Sequence, residues 1–225
     1  MIIVFTGLAI ATVCGFLYQI WFCRRPASNA KSIVKTVSIA ALAGVGYFMG
    51  ASTLLVAGFG FCAIGDFFLS RDGERAFLYG LISFALGHLF FVVLFASVGD
   101  LTLLWQWPWI VFALILITLG VVMARILWPV AGDLAIPVMV YIAIIMAMGL
   151  SAMSMTGQGV TVAALGAGLF VLSDMILSSE LFLMRPDHPM RRFTPLFVWL
   201  FYWMAQIAIF IGMVVTTTNG AQFGF

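Results

Sequence analysis

The ten Lys and Arg residues of this chain are not scattered along it. They fall in or beside gaps between long apolar segments, and those gaps are every second one. Arg24, Arg25, Lys31 and Lys35 mark the first such gap, Arg71 and Arg75 the next, Arg125 the next, and Arg185, Arg191 and Arg192 the last. The intervening gaps and both chain ends hold none. A water-soluble fold has no reason to sort its cations this way. A chain threaded back and forth through a bilayer does, because Lys and Arg are retained on the cytoplasmic side. The pattern predicts basic gaps in the cytoplasm, both termini on the opposite side and an even number of crossings.

The composition agrees. Of 225 residues, 64% are hydrophobic and 8% charged, with a mean hydropathy of +1.21. The outer face of a soluble domain must be wet, and this chain has too little polar surface to make one. The basic residues mark gaps and form no aromatic-interleaved patch, so nucleic acid is not an expected partner. Cys14, Cys23 and Cys62 lie in or beside apolar segments without zinc or haem spacing, and read as inert buried thiols.

A crossing helix needs about 20 apolar residues. Eight segments qualify, roughly Ile2–Phe22, Ile33–Gly50, Thr53–Leu69, Ala76–Val98, Pro108–Trp128, Leu134–Met153, Val160–Leu183 and Phe193–Thr216. The expected fold is an all-α bundle of about eight transmembrane helices, forming a single domain over residues 1–225. The first segment has no basic residues before it and reads as a helix rather than a cleaved signal. Gly46 and Gly50, with Gly60, Gly166 and Gly168, offer small surfaces for close helix packing. Trp105, Trp107 and Trp109 read as an interfacial belt on the uncharged side. Gly60 to Ser70 aligns without gaps on Gly168 to Ser178, matching at Gly, Asp66/Asp174, Leu and Ser. A parallel duplication of a four-helix unit would produce that echo.

Asp66 and Asp174 are the least expected residues in their segments. A carboxylate at the centre of a crossing helix costs about 2.5–3.5 kcal/mol on the insertion scale, so it stands there with a partner or a task. At a rise of about 1.5 Å per residue, Asp66 lies about 7–8 Å from Arg71 and Asp174 about 16 Å from Arg185. Both belong to the cytoplasmic half, where they can meet across the bundle interior. Two carboxyls in one low-dielectric cavity do not both ionise easily. One is then a proton donor beside a proton acceptor, which is an acid–base division of labour. Glu180 lies about 240° around the helix from Asp174 and is expected to snorkel or pair with Arg185. Asp72, Glu74, Asp100, Asp133 and Asp187 read as solvated loop residues.

His88, near the middle of the fourth segment, can orient an Asp, relay protons, bind a headgroup or simply be a core residue. Tyr141, Tyr202 and Gln206 are intramembrane hydrogen-bonding groups, and Tyr202 and Gln206 share a helix face one turn apart. They can hold the carboxylates, bind a headgroup or join helices. No metal-ligand spacing and no Gly-x-Ser-x-Gly occurs, so neither metal nor organic cofactor is implied.

These residues carry a resemblance. Gly65-Asp66-Phe-Phe-Leu69, Phe84-x-x-Gly87-His88, Ile136-Pro137-Val-x-Val-Tyr141, Phe170-x-x-Ser173-Asp174 and Tyr202-x-x-Ala205-Gln206 occur in an order that resembles the YhhN family of membrane lysoplasmalogenases. The resemblance implies eight helices and places the catalytic carboxylates at Asp66 and Asp174, with His88, Tyr141, Ser173, Tyr202, Gln206 and Lys35 supporting or binding substrate. Two positions depart from the family's pattern. Lys35 is followed by Thr36 where a Pro is expected, and Phe91 stands three residues after His88 where a Tyr is usual. The implied reaction is hydrolysis of the alkenyl ether of a lysoplasmalogen, an ethanolamine or choline lysophospholipid, to a fatty aldehyde and a glycerophospho-alcohol. Which Asp is acid and which is base stays open at this level.

Three other classes compete. A proton-coupled transporter or lipid flippase would use the same Asp and His residues as a relay. An intramembrane aspartyl protease is faintly echoed by Ala63-Ile-Gly65-Asp66, but its two Asp lie on adjacent helices. A non-catalytic scaffold would be indifferent to both carboxylates. The expected setting is an integral membrane protein, most simply of a bacterial inner membrane. The topology is testable. Single cysteines introduced at Gly73 and at Leu101 in a cysteine-free background are expected to react with an impermeant thiol reagent from opposite sides of the membrane. Reaction of both from one side would contradict it.

Overall fold

A backbone in lipid must satisfy its own polar groups, and this chain does so with helices alone. The computed structural model describes residues 1–223, with side chains described as far as Thr216. Its eight α-helices are α1 (Ile2–Leu17, continued by a π turn, Tyr18–Phe22), α2 (Asn29–Phe48), α3 (Thr53–Leu69), α4 (Glu74–Ser97), α5 (Trp109–Leu127), α6 (Ala135–Met153), α7 (Val160–Phe182) and α8 (Thr194–Phe223). Among the described residues the nearest thing to a strand is a single bridge between Gly99 and Met155.

Six of the eight helical segments are long and apolar enough to cross a membrane. The helix count is the expected eight, with α2 and α3 outside this group of six. The α3 helix has 17 residues, at the lower limit of crossing lengths. The α2 helix has 20 residues, but its first turns carry Lys31, Ser32, Lys35, Thr36 and Ser38. Those polar residues sit where the protein interior is polar, so this helix faces protein more than lipid.

The ends of the helices are fastened locally. The Ser28 hydroxyl accepts from the Lys31 amide at 3.2 Å and Ser52 from the Leu54 amide at 3.3 Å, each satisfying one orphan donor of a helix start. Gly50, at φ +70°, makes the tight turn from α2 into α3. Its role is conformational, and space is open around it.

Seven of the helices form a ring. Around it run α1, α2, α3, α4, α6, α7 and α8, each packed on the next. The ring closes where Trp199 Nε1 of α8 donates to the Gly15 carbonyl of α1 at 3.0 Å and the Trp203 ring covers Gly15. The remaining helix, α5, stands outside and packs chiefly on α6.

Cation-bearing gaps gather at one end of this bundle. There Arg71 donates to the Asn29 side chain at 2.7 Å, Lys31 to the Arg25 carbonyl at 2.6 Å, and Arg191 to the Glu180 carbonyl at 2.6 Å. Gaps without cations meet at the other end. The Asp100 amide donates to Ser154 at 2.8 Å and the Thr156 amide to Val98 at 3.0 Å. The exposed Trp105 and Trp107 also stand at this end. Cys23 donates to the Pro195 carbonyl at 2.7 Å. Burial pushes its thiol up to about 11, so at neutral pH it keeps its proton and is inert, as read from the sequence.

Close helix approaches are made by glycines, though not all of those expected. A Cβ at Gly166 would lie 2.8 Å from the Ala205 carbonyl, whereas Gly60 and Gly168 face open space. Gly212 makes one of the tightest backbone-to-backbone approaches. A Cβ there would lie 2.6 Å from the Ala163 amide and 2.7 Å from the Gly159 carbonyl. Backbone cannot yield as a side-chain tip can. Gly212→Ala is therefore expected to cost about 1–3 kcal/mol by overpacking, seen as a lower Tm in detergent. Gly60→Ala is expected to leave Tm unchanged or slightly raised. Equal Tm values for both variants would contradict this packing.

Candidate active site

The ring is filled toward its uncharged end and open toward its basic end. Phe59, Phe91, Phe95, Met148, Ile209 and Met213 are all fully buried in the filled half. Below them a cavity of about 910 Å³ reaches the basic end. That volume lies within the range of about 300–1,000 Å³ of small-molecule sites.

Six of the eight residues singled out from the sequence line this cavity: Lys35, Asp66, Tyr141, Ser173, Asp174 and Tyr202. They come from α2, α3, α6, α7 and α8. Asp66 is completely buried. Lys35 Nζ lies 3.1 Å from its Oδ1, with the lysine side chain 13% exposed, and the Tyr202 hydroxyl donates to its Oδ2 at 2.6 Å. Burying a carboxylate and an ammonium costs several kcal/mol per ion, recovered only when geometry and further hydrogen bonds are good. The Tyr202 hydrogen bond meets that requirement. Aromatic faces meet it as well, since Lys35 Nζ lies 5.8 Å from the ring centroids of both Tyr18 and Trp199, within cation–π range. Tyr202 is itself wedged edge-on between Phe84 at 5.7 Å and Phe170 at 5.2 Å.

Asp174 is held differently. It is half-buried and reaches the cavity surface. The Tyr141 hydroxyl donates to its Oδ2. Asp174 forms no ion pair among the described residues, whereas Lys35 is paired with Asp66. The neighbouring Ser173 turns away to donate to the Val198 carbonyl of α8 at 3.0 Å, which fixes the rotation of α7.

His88 and Gln206 stand behind this layer. Both are fully buried and neither lines the cavity. The His88 ring packs edge-on to Phe170 at 4.5 Å and to Tyr141 at 5.5 Å, so it props the tyrosine that holds Asp174. Gln206 lies beside Cys62 and Tyr202.

The mouth of the cavity carries both signs of charge, with Lys31 and Arg71 beside Asp72, Glu74, Asp133 and Glu180. Glu180 lines the same cavity as Asp174 despite its helical angle from it. The cation beside it is Arg191, through the Glu180 carbonyl, rather than Arg185. Tyr18 and Trp199 were not singled out from the sequence. Aromatic residues near helix ends are common, and only the ring closure brings these two onto Lys35.

The model of the family described as YhhN matches residues 30–213, a range that contains every residue named at the two carboxylates apart from Tyr18. No curated protein and no solved structure gives a significant match.

The ion pair makes a stability prediction. Lys35→Met leaves a buried carboxylate unpaired and is expected to cost about 3–5 kcal/mol, measured by unfolding in detergent. Adding Asp66→Asn removes the orphan charge and is expected to restore most of that loss. Additive losses in the double variant would contradict the pairing.

Proposed function

Because the chain belongs to the YhhN family, whose members are associated with hydrolase activity, we propose that it is a membrane-embedded lysoplasmalogenase that hydrolyses the alkenyl ether of a single-chain phospholipid. One observation carries the reading. Two carboxylates line one cavity among apolar helices, and only one of them is paired with a cation. In this reading the basic end of the bundle faces the cytoplasm, by the positive-inside bias.

The difference between the carboxylates supports an assignment of their roles. Lys35 compensates one negative charge, so Asp66 is the ionised member. A second carboxylate nearby would be uncompensated in a low-dielectric site, so Asp174 carries a proton. Tyr141 occupies Asp174 Oδ2, leaving Oδ1 to bear the proton that is transferred.

Asp174 gives that proton to the alkene carbon remote from the ether oxygen. The carbon bearing the oxygen becomes an oxocarbenium centre, whose charge the Asp66 carboxylate balances. Water adds there and returns a proton to Asp174. The resulting hemiacetal collapses, its hydroxyl proton passing to the ether oxygen as the C–O bond breaks. The products are a fatty aldehyde and a glycerophospho-alcohol, so one water is consumed and the acid is regenerated. The mixed-charge mouth suits the phosphate and ammonium of a zwitterionic headgroup, drawn to Lys31 and Arg71 and to the carboxylates beside them. An interior packed with aromatics toward the uncharged end favours a pocket over a transport path.

Purified protein in detergent is expected to release aldehyde from a 1-alkenyl lysophospholipid. Asp174→Asn and Asp66→Asn, both checked for folding, are expected to lose at least about 10²-fold, the scale of general acid–base catalysis. Release that survives both changes would remove the pair from the mechanism. Intact substrate crossing the membrane in vesicles, with no aldehyde formed, would instead favour a transporter or flippase.

A further inference from the structure

The cavity does not end at the carboxylates. It continues around α6 to reach α5, the helix outside the ring. On α5, Leu119, Met123 and Leu127 recur every fourth residue and line it, with Ile142 and Met146 of α6 opposite. A polar binding site has no use for such an arm, since none of these five side chains donates or accepts a strong hydrogen bond. Its walls lie between α5 and α6, outside the ring. The back of α5 is exposed at Ile115, Val122 and Ile126, so the arm runs alongside the face turned to lipid.

The arm has a definite end. Gly120 is buried, and a Cβ placed on it would lie 2.7 Å from Met146 Cγ and 2.9 Å from Met146 Sδ. Beyond that point α5 and α6 touch again, where a Cβ on Gly149 would lie 2.7 Å from Leu116. From Leu127 to Gly120 the arm follows α5 for about 10 Å, at about 1.5 Å per residue.

We infer that this α5–α6 arm is the subsite for the hydrocarbon chain of a single-chain lipid, and that Gly120 and Met146 set the longest chain it accepts. The inference rests on the lipid substrate class proposed above, but not on the ether chemistry. A flexible thioether is suited to such a stop, because Met fills irregular apolar space and yields easily. Gly120 matters because any side chain there projects into the arm at its blind end.

The test uses a series of non-hydrolysable 1-alkyl lysophospholipids of increasing chain length. They displace a fluorescent lysolipid from the protein in nanodiscs. Comparing variant with wild type at each length cancels partition into the disc lipid. Each methylene buried in the arm is expected to tighten wild-type binding about fourfold, the equivalent of about 0.8 kcal/mol, up to a limiting length. Gly120→Leu is expected to weaken the longest chains at least about tenfold, roughly two such methylenes, while sparing the shortest. Met146→Ala is expected to move the limit to longer chains. A loss equal at all lengths, or an unchanged profile in both variants, would overturn the assignment. The two readings fail separately. A shifted profile in a protein that cleaves no alkenyl ether would keep the chain subsite and reject the hydrolase. Cleavage with an unshifted profile would do the reverse.

Discussion

The site depends on one buried ion pair. Asp66 cannot remain charged inside an apolar ring without Lys35, and Lys35 would not sit among aromatic faces without Asp66. Both ions give up hydration worth several kcal/mol each. The structure offsets this with the Tyr202 hydroxyl at 2.6 Å and with the rings of Tyr18 and Trp199. Once that pair is made, the rest of the site follows from charge balance. Lys35 is engaged by Asp66, and Asp174 on the same cavity has no ion pair of its own among the described residues. Two chemically identical side chains thus acquire different properties from position alone.

The ring architecture is what allows this. Lys35, Asp66, Tyr202, Asp174 and Tyr141 belong to five different helices, and each points inward only because α1 through α8 close around a common interior with α5 left out. The uncharged half of that interior is packed with Phe and Met, which fixes the helices rigidly. The basic half is left open and lined with the polar residues. Close packing and the open cavity are therefore separated along the bundle axis. His88 and Gln206 sit between the two halves, fully buried, and support the tyrosines.

Much of this was legible in the sequence, for physical reasons. Helices in lipid must be long and apolar, so their number and approximate limits could be read directly, and Asp66 and Asp174 stood out because an intramembrane carboxylate is costly. Tyr141 and Tyr202 were visible as hydrogen-bonding groups in apolar segments. Their pairing was not. Tyr202 bonds to Asp66 across 136 residues and Tyr141 to Asp174 across 33, and helical periodicity says nothing about which helices become neighbours. The exclusion of α5 from the ring was hidden for the same reason. The polar first turns of α2 are lower in hydropathy than the other spans, and the structure shows why, since they carry Lys35 to the cavity. Glu180 was expected off the site by its helix angle and its nearness to Arg185, neither of which reports the three-dimensional extent of a cavity formed between several helices.

The central claim is that Asp66 is held ionised by Lys35 while Asp174 carries the proton. Infrared difference spectroscopy of the protein in detergent at neutral pH, wild type against each Asp→Asn variant, reads this without substrate or turnover. The account predicts a protonated-carboxyl C=O band in wild type that is lost in Asp174→Asn and retained in Asp66→Asn. Loss of that band in Asp66→Asn with retention in Asp174→Asn, or no such band in wild type, would contradict it.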